Sequence, residues 1–460
     1  MSKYREMSNI HLNQISNKYD KDNLYNQESN NIGEITNNTY NDNHTDRGLP
    51  MRSQYIIKKP IYDANDHLDF DLFDNNPSKL DVKYFDSFVQ NDTGFADIST
   101  SMTKLSSQIN PLVICSNVID KLNNNLFYYL FELINENIYI INGIGLFNLF
   151  ASLYLASNGI TEIELKKFFD FPKKDILYDG LMKITQNFSP IDKIINIKNF
   201  MLIGNDVPYN PNYYESIKDF CILLRLDISN PIKESNKVNI LVKKILGEDM
   251  KNPILAEYIN NLQLMFLSMA VIHPVWSSSF DRIIKSMFYG TSENKQINYL
   301  YSIGKSYGYF ENNDHQLLEI ICAGNNLVMG FLLHKNKLIT YIDNIKLHFY
   351  ISHIKESILD EIKIPVFKQD LKLRFNSSLK NMGLNSVFIK ILSKDFFPEG
   401  VVLQDIIQNV KIIVDNLSVK SNEQHNKGCI TTRKFIADKP FIYYFRIPKT
   451  DTIILMGFYQ

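Results

Sequence analysis

The sequence predicts an α+β domain with large antiparallel sheets, entered through helices and preceded by an extension of different character. Three observations carry that expectation. Helix-spaced apolar residues fill the stretch from Pro111 to about Asp170. Short apolar runs bounded by turn residues recur from Lys198 to the C-terminus. Residues 1 to about 108 show neither pattern.

The extension comes first. Residues 1–50 hold 11 Asn and few large aliphatics, in stretches such as NNIGEITNNTYNDNHTD. Such a segment buries too little apolar surface to offset the entropy of ordering it. The acidic run YDANDHLDFDLFDNN continues this character, and its Asp63, Asp66, Asp69, Asp71 and Asp74 lack the Gly and closing Glu of a calcium loop. The expected division is therefore an Asn-rich, mostly disordered extension over 1–108 and one domain over 109–460.

The domain opens with LVICSNVIDKLNNNLFYYLFELI, apolar at three- and four-residue spacing, which predicts an amphipathic helix. NIYII is a short strand. GLFNLFASLYLASNG is a helix apolar on most faces, stopped at Asn158-Gly159. TEIELKKFFD predicts a further helix, with Thr161 as N-cap and Glu164 three residues on. The strand-like runs are KNFMLIG, LQLMFLSMAVI, QINYLYSI, LLEIICA, NLVMGFLLH, EIKIPVFK, VKIIVD, PFIYYFRI and TIILMGF. Between them NYYESIKDFCILL, KVNILVKKIL and LRFNSSLKNMGL read as helices.

Composition excludes several function classes. Among 460 residues 45% are hydrophobic and the net charge is -1, so the chain can build a core but presents no basic footprint for nucleic acid or an anionic membrane. Cys115, Cys221, Cys322 and Cys429 are far apart, giving neither a disulfide framework nor zinc-ligand spacing. The start, MSKYREMSNIHLNQ, has no apolar signal region, which favours an intracellular location over classical secretion. The longest uncharged run, Asn137 to Thr161, carries Asn142, Gly143, Gly145 and Asn148 and reads as a buried strand and helix rather than a membrane span. No cofactor is expected. With 52 Asn and only 8 Ala, a missing alanine in this chain carries little information.

Catalytic motifs are sparse. Gly304-Lys305-Ser306-Tyr307-Gly308 matches G-x-S-x-G, but a turn follows it rather than the helix a nucleophile elbow requires. His348 and His353 stand five apart, not the four that puts two ligands on one helix face. Neither pattern points to an enzyme.

The C-terminus is more specific. FIADKPFIYYF, Phe435 to Phe445, is followed by RIPKTDTIILMGFYQ, two strands joined by a polar turn. This resembles the C-terminal signature of the serpins, a family of serine-protease inhibitors, with Asp438, Lys439, Pro440 and Phe441 in the matching places and Met456-Gly457 in the closing strand. NFMLI, the strand from Met265 that leads to Trp276 and Phe280, and the segment IKIPVFKQDLKLRFNSSLKNMGLNSVF also resemble the family's elements, in the same order. The resemblance covers about 350 residues, from near Asn110 to the end. The Asn-rich, Ala-poor composition points to a divergent member, of the kind a giant DNA virus would encode.

The resemblance implies a serpin fold with about three β-sheets, eight to nine helices and an exposed reactive-centre loop. It implies an inhibitor, not an enzyme, acting as a monomer on a serine protease of trypsin-like type. In the family a protease attacks the loop, which then inserts into the central sheet and carries the protease with it. Here the loop corresponds to residues 416–434. Its hinge comprises Asn416, Leu417, Ser418, Val419, Ser421 and Glu423. The candidate scissile region is Thr432, Arg433 and Lys434, with Arg433 as the recognition residue; counting back from Phe441 gives Cys429-Ile430 instead. In the straightforward register Val419, Ser421, Glu423 and His425 go under the sheet, where a charge is costly. Lys420, Glu423 and His425 replace small residues, which supports the alternative of a non-inhibitory binding protein of the same fold. The sheet-opening region also departs from the family: Ile141-Asn142 stands for Ser-Pro and Gln408 for His, near Trp276.

Overall fold

The computed structural model describes residues 110–133, 139–188, 194–247, 250–324, 326–339, 344–419 and 432–460. The expected boundary near residue 108 lies outside them. Three sheets of seven, five and four strands, with a two-stranded ribbon, account for all the strands among the described residues. Eight α-helices accompany them.

The chain enters through α1 (Pro111–Leu133), β1 (Tyr139–Ile141) and α2 (Gly143–Ala156). The long uncharged run thus becomes a strand and a helix, and twelve of the fourteen α2 residues are buried. No helix among the described residues is long and apolar enough to cross a membrane. Then follow α3 (Gly159–Phe169), α4 (Lys174–Phe188), β2 (Ile195–Gly204), α5 (Pro211–Ile217), β3 (Ile222–Leu226), α6 (Pro231–Leu246) and β4 (Leu264–Ile272). The second half runs through β5 (Arg282–Tyr289), β6 (Asn294–Ser302), β7 (Lys305–Glu311), β8 (His315–Ile321), β9 (Val328–His334), α7 (Asn344–Ser352), β10 (Lys355–Leu359), β11 (Glu361–Pro365) and β12 (Phe367–Arg374). It closes with α8 (Asn376–Asn381), β13 (Ile391–Ser393), β14 (Phe397–Val401), β15 (Leu403–Val414), β16 (Lys434–Ile436), β17 (Phe441–Ile447) and β18 (Thr452–Tyr459).

The five-stranded sheet, ordered β12-β15-β4-β2-β3, is buried on both faces. Period two sorts its side chains. Met201, Phe266, Ala270, Ile406, Val410 and Ile412 point into the main core with α2. Phe200, Leu202, Met265, Leu267, Met269 and Ile407 point the other way, against Val238, Val242 and Leu246 of α6. The seven-stranded sheet, β1-β18-β17-β9-β8-β7-β10, and the four-stranded sheet, β16-β11-β6-β5, supply the rest of the architecture.

Three local expectations differ from the structure. CILL does not prolong the preceding helix; it is β3, because Phe200 to Gly204 offer it a parallel partner. LRFNSSLKNMGL is helical only over Asn376–Asn381, its first residues being claimed by the antiparallel ladder with β15. Thr161 and Glu164 do not form a capping box: α3 begins at Gly159, and the two side chains instead accept hydrogen bonds from Leu392 N and from the N–H groups of Asn385 and Ser386. Ser306 lies inside β7 and bonds Glu356, away from any strand-to-helix turn.

A partly buried ionic cluster joins α1 to the β17–β18 hairpin. His348 on α7 stands 3.2 Å from Asp120 and 3.7 Å from Asp451. Arg446 bridges Asp451 and Glu319 at 2.8 and 2.6 Å. Burial opposes a charge on His348, but the two carboxylates outweigh it and lift its pKa to about 9.

Candidate functional site

Neighbouring strands β4 and β15 of the five-stranded sheet run parallel, from Leu264 against Leu403, through a one-residue register shift before Asp405, to Ile272 against Ile412. A parallel pair leaves room, if parted, for one strand antiparallel to both. This seam and the chain that caps it form the candidate site.

A buried polar row crosses the middle of the seam. Register places Gln408 beside Ser268 and Ser268 beside Asn199, all on the α2 side. Asn142, the N-cap of α2, sits beneath. Its N–H donates to Gln408 Oε1 at 3.0 Å, and Gln408 Nε2 donates to its carbonyl at 3.0 Å. Asn142 Nδ2 donates to Ser268 Oγ at 3.2 Å, and that hydroxyl donates to Asn199 Oδ1 at 3.0 Å. Asn142 Oδ1 accepts from Gly145 N. Such groups are tolerated in a core because they bond one another. The residues that depart from the family pattern at Asn142 and Gln408 thus form a connected latch across the closed seam. Gly145 permits the approach: a Cβ there would lie 2.1 Å from Ser268 Oγ.

Above the seam, Trp276 holds the chain that leaves β15. Its indole N–H donates to the Asp415 carbonyl at 2.7 Å. Its main-chain N–H donates to Leu417 O at 2.8 Å, and its carbonyl accepts from Val419 N at 2.9 Å. The ring is fully buried, edge-to-face on Phe280 with centroids 5.7 Å apart. His273 Nε2 lies 2.9 Å from Asp415 Oδ2. Of the hinge, Asn416, Leu417 and Val419 are exposed and Ser418 is half-buried, bridged to Trp276. Ser421 and Glu423 lie outside the described residues, as do Lys420, His425 and the alternative bond Cys429-Ile430.

The far end of the segment is docked on the four-stranded sheet. Thr432, Arg433 and Lys434 are exposed, but Lys434 opens β16 and pairs in parallel with Glu361 of β11. The Arg433 carbonyl accepts from Asp360 N at 2.9 Å, and the Lys434 carbonyl accepts from Gln316 Nε2 at 2.9 Å. Lys434 Nζ donates to Glu361 at 3.0 Å. Desolvation works against the Glu361 charge, yet Lys434 and Lys363 hold its carboxyl below the usual range.

The C-terminal signature is a joint between sheets. The Asp438 carbonyl accepts from Tyr289 N of β5 at 2.7 Å, and Lys439 Nζ donates to Lys335 O. Pro440 is buried, and Phe441 starts β17 packed on Phe331 and Tyr459 with centroids 5.8 and 5.1 Å away. Sequence reasoning singled out Trp276 and Gln408 but missed Ser268, Asn199 and His273. The available signal was a polar residue inside an otherwise apolar strand run, as in LMFLSMAVI and NFMLIG.

Comparison with known proteins completes the description. A family model described as Serpin (serine protease inhibitor) matches residues 121–459. A serpin-like protein of Acanthamoeba polyphaga mimivirus is 26% identical over 396 residues, covering 78% of this chain and 95% of the viral protein. Serpin B5 of Xenopus tropicalis is 23% identical over 328 residues, covering 66% of this chain and 86% of the frog protein. Native protease nexin-1 with heparin superposes with a TM-score of 0.69 at 17% identity, and maspin with 0.70 at 16%, each covering 76% of this chain and 99% of the other. The family model spans most of the chain, and those structures share its fold: the chain belongs to the serpin family.

Proposed function

We propose that this serpin inhibits serine proteases as a suicide substrate, with residues 416–434 as the bait and the β4–β15 seam as its receptor. The observation that carries the reading is the closed parallel seam, latched by Gln408 and Asn142 and capped by Trp276, which bridges in parallel to the chain leaving β15. A strand entering it would gain a hydrogen-bonded ladder on each side, so the closed sheet is not the most stable arrangement open to the chain.

The charged hinge is less of an obstacle than composition suggests. If the chain turns back antiparallel to β15 with Val419 facing Val414, Gln408 faces His425 and Val410 faces Glu423. On the β4 side those rows hold Ser268 and Ala270. His425 would then join the polar row of Gln408, Ser268 and Asn142 rather than an apolar floor. Glu423 would reach an apolar row, within reach of His425 two residues along the same face. A neutral or His-paired Glu423 makes insertion slower, not impossible.

The partner in this reading is a trypsin-like serine protease that recognises Arg433, with the inhibitor acting as a monomer. Cleavage at Arg433-Lys434 needs the carbonyl of Arg433 in the protease oxyanion hole, so its bond to Asp360 and the Lys434–Glu361 pair must first release. The test is incubation with trypsin-like proteases and denaturing electrophoresis. A complex that survives boiling supports inhibition; cleaved product alone across the panel rejects it. The second reading, a non-inhibitory binding protein, is favoured by the same Lys420, Glu423 and His425, and expects cleaved product only.

A further inference from the structure

Among the described residues, the edge of the lower half of β2 that faces away from β4 pairs with no strand and lies in a cleft. Main-chain directions alternate along the strand. Ile194 O accepts from His273 N and Gly204 N donates to Gln263 O, so even-numbered residues face β4. Asn205 N donates to Leu226 O, so odd-numbered residues face the β3 side. β3 pairs with β2 only from Phe200 onward. Ile195 and Ile197 therefore turn an N–H and a C=O each toward a side on which, among the described residues, no strand lies. A cleft of about 410 Å³ opens there, between α2, α4 and the turn before β3, lined by Ile144, Asn148, Ile184, Lys198 and Lys218 among others. Asn148 Oδ1 is buried in that region with no hydrogen-bond partner.

We propose that this cleft is a docking slot for an extended peptide segment of a partner protein, added as a strand to β2. The repeat identifies the ligand class. Donor and acceptor recur together about 7 Å apart along the edge, and a peptide main chain presents the complementary series. The site selects its occupant further: small apolar side chains fit against Ile144 and Ile184 on the α2 side, and an acidic side chain, alternating to the α6 side, meets Lys198. The slot is independent of loop insertion, but Asn199, the next residue on the same edge, is the one that holds Ser268 in the seam. Occupancy would therefore brace the latch.

The test uses the full chain and a fluorescein-labelled peptide, Asp-Val-Ser-Val-Asp, blocked at its C-terminus, read by fluorescence polarisation. Its control is the same peptide N-methylated at both valines, which removes main-chain donors and keeps every side chain. Saturable binding below about 1 mM, weakened at least tenfold by methylation, is the expected result. Ile197→Pro removes the edge donor without touching the β4 ladder, since proline is tolerated where the N–H faces outward; it should weaken binding as methylation does. Equal binding of the methylated and unmethylated peptides, or no saturable binding of the unmodified peptide, overturns the proposal, and the peptide comparison stands even if a variant does not fold.

Discussion

Replacing Gln408 by alanine removes both hydrogen bonds that tie β15 to the backbone of Asn142. Asn142 is fully buried; its N–H loses the Gln408 acceptor, whereas its C=O still accepts from Leu146 N at 3.4 Å. At about 1–3 kcal/mol for the one unsatisfied group, the closed sheet should lose about 1–3 kcal/mol. For a domain of this size that is a fall of about 1–4 °C in melting temperature. The assay is a thermal melt of the intact chain followed by tryptophan fluorescence, since the sole Trp, Trp276, reports the top of the same seam. Gln408→His, which restores the family's residue, keeps one side-chain nitrogen near Asn142 and should fall between parent and alanine. An alanine variant that melts with the parent would refute the latch, whatever the loop does.

Further outcomes follow from other contacts. Gly145→Ala forces a Cβ into Ser268 Oγ and should cost about 1–3 kcal/mol; Gly145→Ala with Ser268→Ala should cost less than the sum, as a double-mutant cycle of melts would show. The folded pKa of His348, about 9, lies above its ordinary 6.5, so its pairs with Asp120 and Asp451 contribute fully below about pH 6.5 and fade as pH rises through 9. Up to about 3 kcal/mol should be lost on that rise, and His348→Gln should flatten the melting temperature between pH 7 and 10. Burial pushes Asp120 up to about 6 from its ordinary 3.8, so its own protonation favours the folded state as pH falls through 6 toward 3.8. Glu361→Gln loosens Lys434 and should speed trypsin cleavage after Arg433 severalfold, read by mass spectrometry; an unchanged rate with cuts elsewhere would move the scissile bond out of 432–434.

Local, contiguous features were legible in the sequence. The apolar strand runs gave the sheets because a period of two needs no distant partner to be seen. The stretch from Asp438 to Phe441 was readable because its pattern is unbroken, although its role as a joint to β5 depends on Tyr289, far away in the chain. The latch was half legible. Gln408 and Asn142 stood out as departures from a pattern, but their bond spans 266 residues, and only the fold shows that one departure answers the other. The misread helices have the same origin: CILL suits a helix or a buried strand equally, and the free edge of β2 decides. His348 looked like an isolated histidine because both its carboxylate partners lie about a hundred residues or more away or across a hairpin.

The central claim, that the closed seam is poised to receive the chain beyond Val419, is tested most directly by one melting curve taken before and after limited proteolysis within 416–434. A receptive seam should convert on cleavage to a form that melts tens of degrees higher. An unchanged melting temperature after complete cleavage would contradict it and leave a serpin fold that binds without inserting.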